Sequence, residues 1–160
     1  RGLQMEINSQ EQLDAYLRAT LTKALENTMK ITLDKLYKII DKDVYGWVSR
    51  SQDPWAPNRT YQFRDSWEKS KVKETKTMLK ASISQRLTTM GLRTINGVKI
   101  HTDRKDLAEI INDNQYDRYE FGDVRADNPK TPFWDEFEKY CEVAFEETFR
   151  QECKKLGLEV

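Results

Sequence analysis

The chain has 160 residues and a mass of 19.0 kDa, enough for one domain with a real core and too short for two comfortable ones. Apolar residues make up 38% and charged residues 34%, against ordinary values of about 45–50% and about 25%, so the ratio of surface to core is high. The longest apolar runs are three residues, such as Ala15-Tyr16-Leu17 and Val143-Ala144-Phe145, too short for a membrane span or a signal-peptide core.

Net charge is zero, but its distribution is uneven. Residues 1–58 carry 8 basic and 8 acidic side chains. Residues 59–105 carry 12 basic and 4 acidic, net +8, and residues 106–160 carry 7 basic and 15 acidic, net −8. Blocks of opposite sign either fold together or face different partners; chance clustering on solvated faces is the plain alternative.

Asn8 or Ser9 can cap a helix, with Glu11 or Gln12 closing the box. Leu13, Tyr16, Leu17, Leu21, Ala24, Leu25, Met29, Leu33, Leu36, Tyr37 and Ile40 then recur at spacings of three and four, which predicts a helix over about 9–41, with Lys30–Thr32 as the place for any break. Residues 43–60 change character: Tyr45-Gly46-Trp47 and Asp53-Pro54-Trp55-Ala56-Pro57 forbid a continuing helix and predict an aromatic loop. Trp47 and Trp55 either fold back as a lid over their own core or dock on a partner.

Tyr61 to Trp67 fits a short helical turn, with Phe63 and Trp67 at i,i+4 facing the core together. A sheet region is predicted over about 68–101. Leu79, Ala81 and Ile83 alternate as a strand does, although Met78, Leu79, Ile83, Leu87 and Met90 would also suit a helix ended by Gly91. Leu92-Arg93-Thr94-Ile95, Asn96-Gly97 and Val98-Lys99-Ile100-His101 form a strong hairpin signal, because Asn-Gly supplies the positive φ angles of a type I′ turn. Thr102 or Asp103 caps a short helix over about 103–112 carrying Leu107, Ile110 and Ile111. Thr131, with Pro132 at the first helical position, opens a second long helix over about 132–156. Its stripe is Phe133, Trp134, Phe137, Tyr140, Cys141, Ala144, Phe145, Phe149, Cys153 and Leu156, stopped by Gly157. The fold class expected is α+β in a single domain, with long N- and C-terminal amphipathic helices packed on a small antiparallel sheet.

Chemical motifs are sparse. The six glycines make no phosphate-cradling loop or dinucleotide fingerprint. Two cysteines and one histidine cannot furnish a structural zinc site. His101-x-Asp103 could offer two metal ligands, but Asp103 is better explained as a helix cap. Cys141 and Cys153, twelve positions apart on one helix, would stand about 18 Å apart, beyond disulfide reach, and are expected as free thiols. The acidic loop residues Asp117, Glu120, Asp123 and Asp127 match no calcium loop. No enzyme, metal or cofactor is expected. Basic residues from Arg59 to Lys99, interleaved with Tyr61, Phe63 and Trp67, could hold a phosphate backbone, although Phe63 and Trp67 are better read as core.

A long N-terminal helix, the Tyr61-x-Phe63-x-x-Ser66-Trp67 segment, a small sheet, His101, the Leu107-x-x-Ile110-Ile111-Asn112 helix and a C-terminal helix opening on Pro132-Phe133-Trp134 follow one another in order. This arrangement resembles the tail-completion (neck, or tail-to-head joining) proteins of long-tailed bacteriophages and related prophages. The chain has Asp113-Asn114 where a glycine would be expected in that family. The resemblance implies a non-enzymatic structural subunit at the head–tail junction of the virion, made in the bacterial host cytoplasm and assembled as a ring around the DNA channel, with six-fold symmetry favoured over twelve-fold. It implies neighbouring head connector and tail terminator or tube proteins as partners, nonspecific contact with genomic DNA, and no membrane. Another virion interaction module (minor capsid or tail protein) or a DNA-associated adaptor is the alternative.

In a head-to-tail ring each subunit shows different surfaces to its two neighbours, which suits a basic and an acidic block. The expected subunit-interface residues are Trp47, Trp55, Lys71, Lys73, Lys76, Lys80, Glu142 and Glu146; Arg86, Arg93 and Lys99 are candidates to face a DNA channel. Reversing Lys71, Lys73 and Lys76 to glutamate is expected to weaken assembly by native mass spectrometry while leaving the circular dichroism of the isolated subunit unchanged. A ring undisturbed at moderate salt would move these lysines to the lumen.

Overall fold

The computed structural model describes residues 6–44, 61–86, 93–95, 98–100 and 132–159. Helix α1 (Gln10–Asp43) opens at Ser9, whose Oγ accepts the Gln12 N–H at 3.2 Å. The Gln12 side chain in turn accepts the Asn8 N–H at 2.8 Å, a reciprocal cap that reaches one residue further back than the usual box. The helix runs 34 residues, about 51 Å, with no break at Lys30–Thr32. Its buried seam includes Thr28 and Thr32, which the apolar stripe omits. Their hydroxyls donate to the Ala24 and Thr28 carbonyls at 2.8 Å, which satisfies them without water and lets them lie inside.

Helix α2 (Gln62–Asp65) is a single turn entered through Tyr61 at φ +56°, a left-handed conformation that is uncommon without glycine. Buried Ser66 ends it: its Oγ donates to the Phe63 carbonyl at 2.6 Å and accepts from Gln85 Nε2 at 3.1 Å. The chain then enters a two-stranded ribbon built from β1 (Trp67–Lys69), β2 (Lys73–Glu74), β3 (Leu79–Lys80) and β4 (Ile83–Gln85). β1 pairs antiparallel with β4 (Lys69 opposite Ile83), and β2 with β3 (Lys73 opposite Lys80). Between these pairs one strand advances four residues and the other three, so the ribbon is continuous through a bulge, with Lys71 and Val72 set against Ala81. The segment that could have been helix is therefore strand at residues 79–80 and 83–85. A second antiparallel pair joins β5 (Arg93–Ile95) to β6 (Val98–Ile100), with Ile95 opposite Val98, the register of a two-residue connection.

Helix α3 (Phe133–Lys155) begins one residue later than expected. Pro132 holds the cap position, in extended backbone and without a side-chain capping bond, and its carbonyl accepts the Glu136 N–H at 3.1 Å. A proline serves there because no N–H is required of it. At the other end Gly157 adopts φ +89°, and the Leu158 N–H bonds back to the Cys153 carbonyl at 3.0 Å, closing a Schellman motif that favours glycine. The aromatic loop, the short helix at 103–112, Thr131 and the Asn96-Gly97 turn lie outside the described residues.

The fold class is α+β, with all described strand pairs antiparallel. α1 and α3 run antiparallel, since Lys42 meets Glu136 while Lys35 lies over the Tyr140 ring. The helices pack on the base of the ribbon and along each other. Their shared core is Leu36, Ile39, Ile40, Phe63, Trp67, Phe133 and Phe137, at the C-terminal end of α1. Ile39, off the predicted stripe, is 2% exposed because the seam is two-sided here: α3 covers one flank and α2 with β1 the other.

Phe133 is fully enclosed, whereas Val143 on the same helix is 84% exposed. Phe133→Ala should cost about 3–5 kcal/mol, and Val143→Ala should stay within about 0.5 kcal/mol, measured by urea denaturation of the full chain.

Candidate assembly surface

The ribbon leaves the aromatic core at Trp67 and travels back along α1. At its base the Tyr37 hydroxyl donates to the Trp67 carbonyl at 2.7 Å. At its tip Arg18 donates to Glu74 Oε1 and the Thr75 carbonyl at 3.0 Å each, and also to the Lys76 carbonyl. From Tyr37 to Arg18 along a helix is about 28 Å, and eight residues of strand cover about 26 Å. The two lengths match, so the ribbon lies along α1 as an arm tied at both ends.

The free side of this arm is basic. Lys71, Lys73, Lys76 and Lys80 are all exposed, and among the described residues none of the four makes an ion pair. Lys73 and Lys80 face each other across the ribbon, an arrangement that destabilises a hairpin. Met78, between Lys76 and Lys80, is 59% exposed. Arg86 differs from these lysines because it pairs with Glu68 across the base of the ribbon. Arg93 and Lys99 lie on β5 and β6, where Lys99 is opposite Thr94.

The outer face of α3 has the opposite sign over its first two-thirds. Asp135, Glu138, Glu142, Glu146 and Glu147 are exposed, with Lys139 among them. Glu138 accepts from Trp134 Nε1 at 2.7 Å, and Glu146 pairs with Arg150 at 2.7 Å. Trp47 and Trp55 lie outside the described residues; the expected lysines and glutamates fall on two separate surfaces.

A third feature escaped sequence reading. Where α1 ends beside the start of α3, Asp43 and Glu136 come together with Lys42, whose Nζ lies 2.6 Å from Glu136 Oε1 and 3.4 Å from Asp43 Oδ1. The Asp43 side chain is 3% exposed, and its Oδ2 has no hydrogen-bond partner among the described residues. Burial, then the adjoining Glu136 carboxylate, pushes the Asp43 carboxyl up to about 6. Glu136 is held below its ordinary value, first by the adjoining Asp43 carboxyl and then by the Lys42 ammonium. The sequence predicts a helix end at about residue 41 and an aromatic loop from 43, where a carboxylate is ordinarily solvated; α1 instead continues to Asp43, and nothing in the sequence signalled its burial.

Both thiols are pushed up, Cys141 and Cys153 alike, chiefly by burial, which disfavours the nucleophilic thiolate. Among the described residues no three His, Cys, Asp or Glu side chains gather to hold a metal ion, and no helix is long and apolar enough to cross a membrane. Comparison with protein-family models, curated proteins and solved structures returned no match.

The Asp43 carboxyl binds its proton more tightly folded than unfolded. Its contribution to stability is therefore complete below the unfolded value near 3.8 and is lost as pH rises through about 6. Asp43→Asn should raise the melting temperature at pH 7–8, recovering on the order of 2 kcal/mol, with the gain vanishing near pH 4. Thermal melts followed by circular dichroism across this range measure both.

Proposed function

We infer that this chain is a non-enzymatic structural component of a phage virion neck, joining tail to head as a ring around the DNA channel. It would be made in the bacterial host cytoplasm and would end at the head–tail junction. The observation that carries the reading is the separation of two surfaces on one chain: a basic arm whose lysines lack ion-pair partners among the described residues, and an acidic face on α3. Such a chain is suited to head-to-tail contacts, in which one surface of each copy meets a different surface of the next. Complementary charge there fixes register and partner more than it adds affinity. The order of elements, which resembles tail-completion proteins, supplies the location and the partners: a head connector on one side and a tail terminator or tube protein on the other.

A DNA-associated adaptor is the second reading, favoured by the same unpaired lysines, since a phosphate backbone is also an acidic partner. Deletion of the gene separates the two. On the neck reading, particles lacking the protein appear by electron microscopy as filled heads and separate tails. Normally joined particles from the deletion strain would overturn it. Portal, capsid and tail-tube genes beside this one are the expected neighbourhood.

A further inference from the structure

Among the described residues only two large apolar side chains are more than half exposed, Met78 at 59% and Val143 at 84%. Each sits in a charged surround, and the surrounds have opposite sign. Met78 lies at the arm tip among Lys73, Lys76 and Lys80, while the one acidic residue there, Glu74, is occupied by Arg18. Val143 lies mid-way along α3 with Glu142 beside it and Glu146 and Glu147 one turn on; Lys139 is one turn back.

The two patches cannot meet within one chain. Lys35 of α1 is level with Tyr140 of α3, which puts Val143 near the level of α1 residue 32. The arm tip is held at Arg18, about 20 Å further along the helix axis. Val143 also points away from α1, as its exposure requires. An apolar knob ringed by lysines and an apolar spot flanked by glutamates are thus complementary only between copies.

We propose that the arm tip of one copy docks on the outer face of α3 of the next, with Met78 packing on Val143 and Lys73 and Lys80 meeting Glu142 and Glu146. The contact is heterologous, so it leaves a free arm at one end and a free α3 face at the other, and it propagates until a ring closes. Burying Met78 and Val143 removes both from water. The facing Lys73 and Lys80, which repel each other across the ribbon in the single chain, gain anions from the neighbour. Glu146 exchanges some of its bond to Arg150 for the same purpose. This assignment rests on the head-to-tail reading above, and names the two surfaces that reading requires.

Charge exchange tests it on the purified full chain. K73E/K80E and E142K/E146K should each weaken self-association on the order of a hundredfold, seen by native mass spectrometry and sedimentation velocity, with unchanged circular dichroism. The chain carrying all four changes should assemble again, and so should an equimolar mixture of the two double variants. M78S should weaken association without altering the fold. Restored assembly in both the quadruple variant and the mixture supports the contact, because loss of folding or generic loss of charge cannot produce it. A wild-type chain that stays monomeric, reversals that leave assembly intact, or exchange that fails to restore it each overturns the contact. K73E/K80E assembling normally but losing affinity for double-stranded DNA would assign the arm to DNA instead. Failure here with unjoined particles from the deletion strain removes the contact and keeps the neck; success here with joined particles does the reverse.

Discussion

Trp67 holds the rest of the structure in place, because three elements that are distant in sequence meet on its ring and its backbone. Its indole stacks on Trp134 with centroids 5.2 Å apart and meets Phe133 and Phe63 edge-on at 6.1 Å and 6.2 Å. Its carbonyl receives the Tyr37 hydroxyl at 2.7 Å. Tertiary aromatic pairs of this geometry add about 0.5–1.5 kcal/mol each beyond the area they bury. In a chain with so few apolar residues, that concentration stands in for a larger core. The first turn of α3 and the α2 turn meet on its ring, and α1 is tied to its backbone.

The consequence is an asymmetric molecule. Near Trp67 the helices and ribbon share a dense aromatic core; toward the N-terminus of α1 the packing thins to Ala24, Thr28, Met29 and Cys153. Several polar groups inside this thinner part are satisfied locally: Thr28 and Thr32 bond back to their own helix, and Glu152, though buried, pairs with Lys155 at 2.8 Å, whereas the buried Thr22 Oγ1 has no hydrogen-bond partner among the described residues. Arg18 performs the corresponding task for the arm. Its guanidinium donates to two backbone carbonyls as well as a carboxylate, a fork that a lysine could not reproduce. The basic ribbon is thereby held against α1 although its own lysines repel.

Both long helices were legible in the sequence because each carries more than one signal: a cap and a stripe of some thirty residues without glycine or proline for α1, and a long apolar stripe with a glycine stop for α3. Phe63 and Trp67 were legible as core from their spacing alone. The ribbon was harder to read, since a bulge breaks the alternation of Val72 with its neighbours and only Leu79, Ala81 and Ile83 keep the period. The capping of α3 was misplaced by one residue because a proline fits either the cap or the first turn. Thr28, Thr32 and Asp43 were missed for a shared reason. Periodicity counts apolar residues, and a polar residue buried by a local hydrogen bond or beside a second carboxyl carries no such mark. At the candidate surface, the lysines and glutamates could be named from charge blocks, but not Met78 and Val143. A lone apolar residue has no sequence signal that separates exposed from buried.

The length of α1 follows from the arm rather than from α3. α3 has 23 residues against 34 in α1, so roughly a third of α1, about 16 Å, extends beyond its helical partner. Leu13, Tyr16 and Leu17 on that extension are only half-buried, so packing on α3 does not account for it. The ribbon does. An arm tied at Tyr37 and again at Arg18 needs a rigid element spanning both points, and a continuous helix is the stiffest single element a chain of this size can make. The back-bonded threonines sit within that span and do not interrupt it. α1 thus fixes the offset between the arm tip and the outer face of α3, two surfaces that otherwise share no direct support. Closed assemblies require that offset to be the same in every copy, since a small error in it turns a ring into an open helix. A long single helix with few apolar contacts is inefficient for stability, and it is well matched to setting a distance.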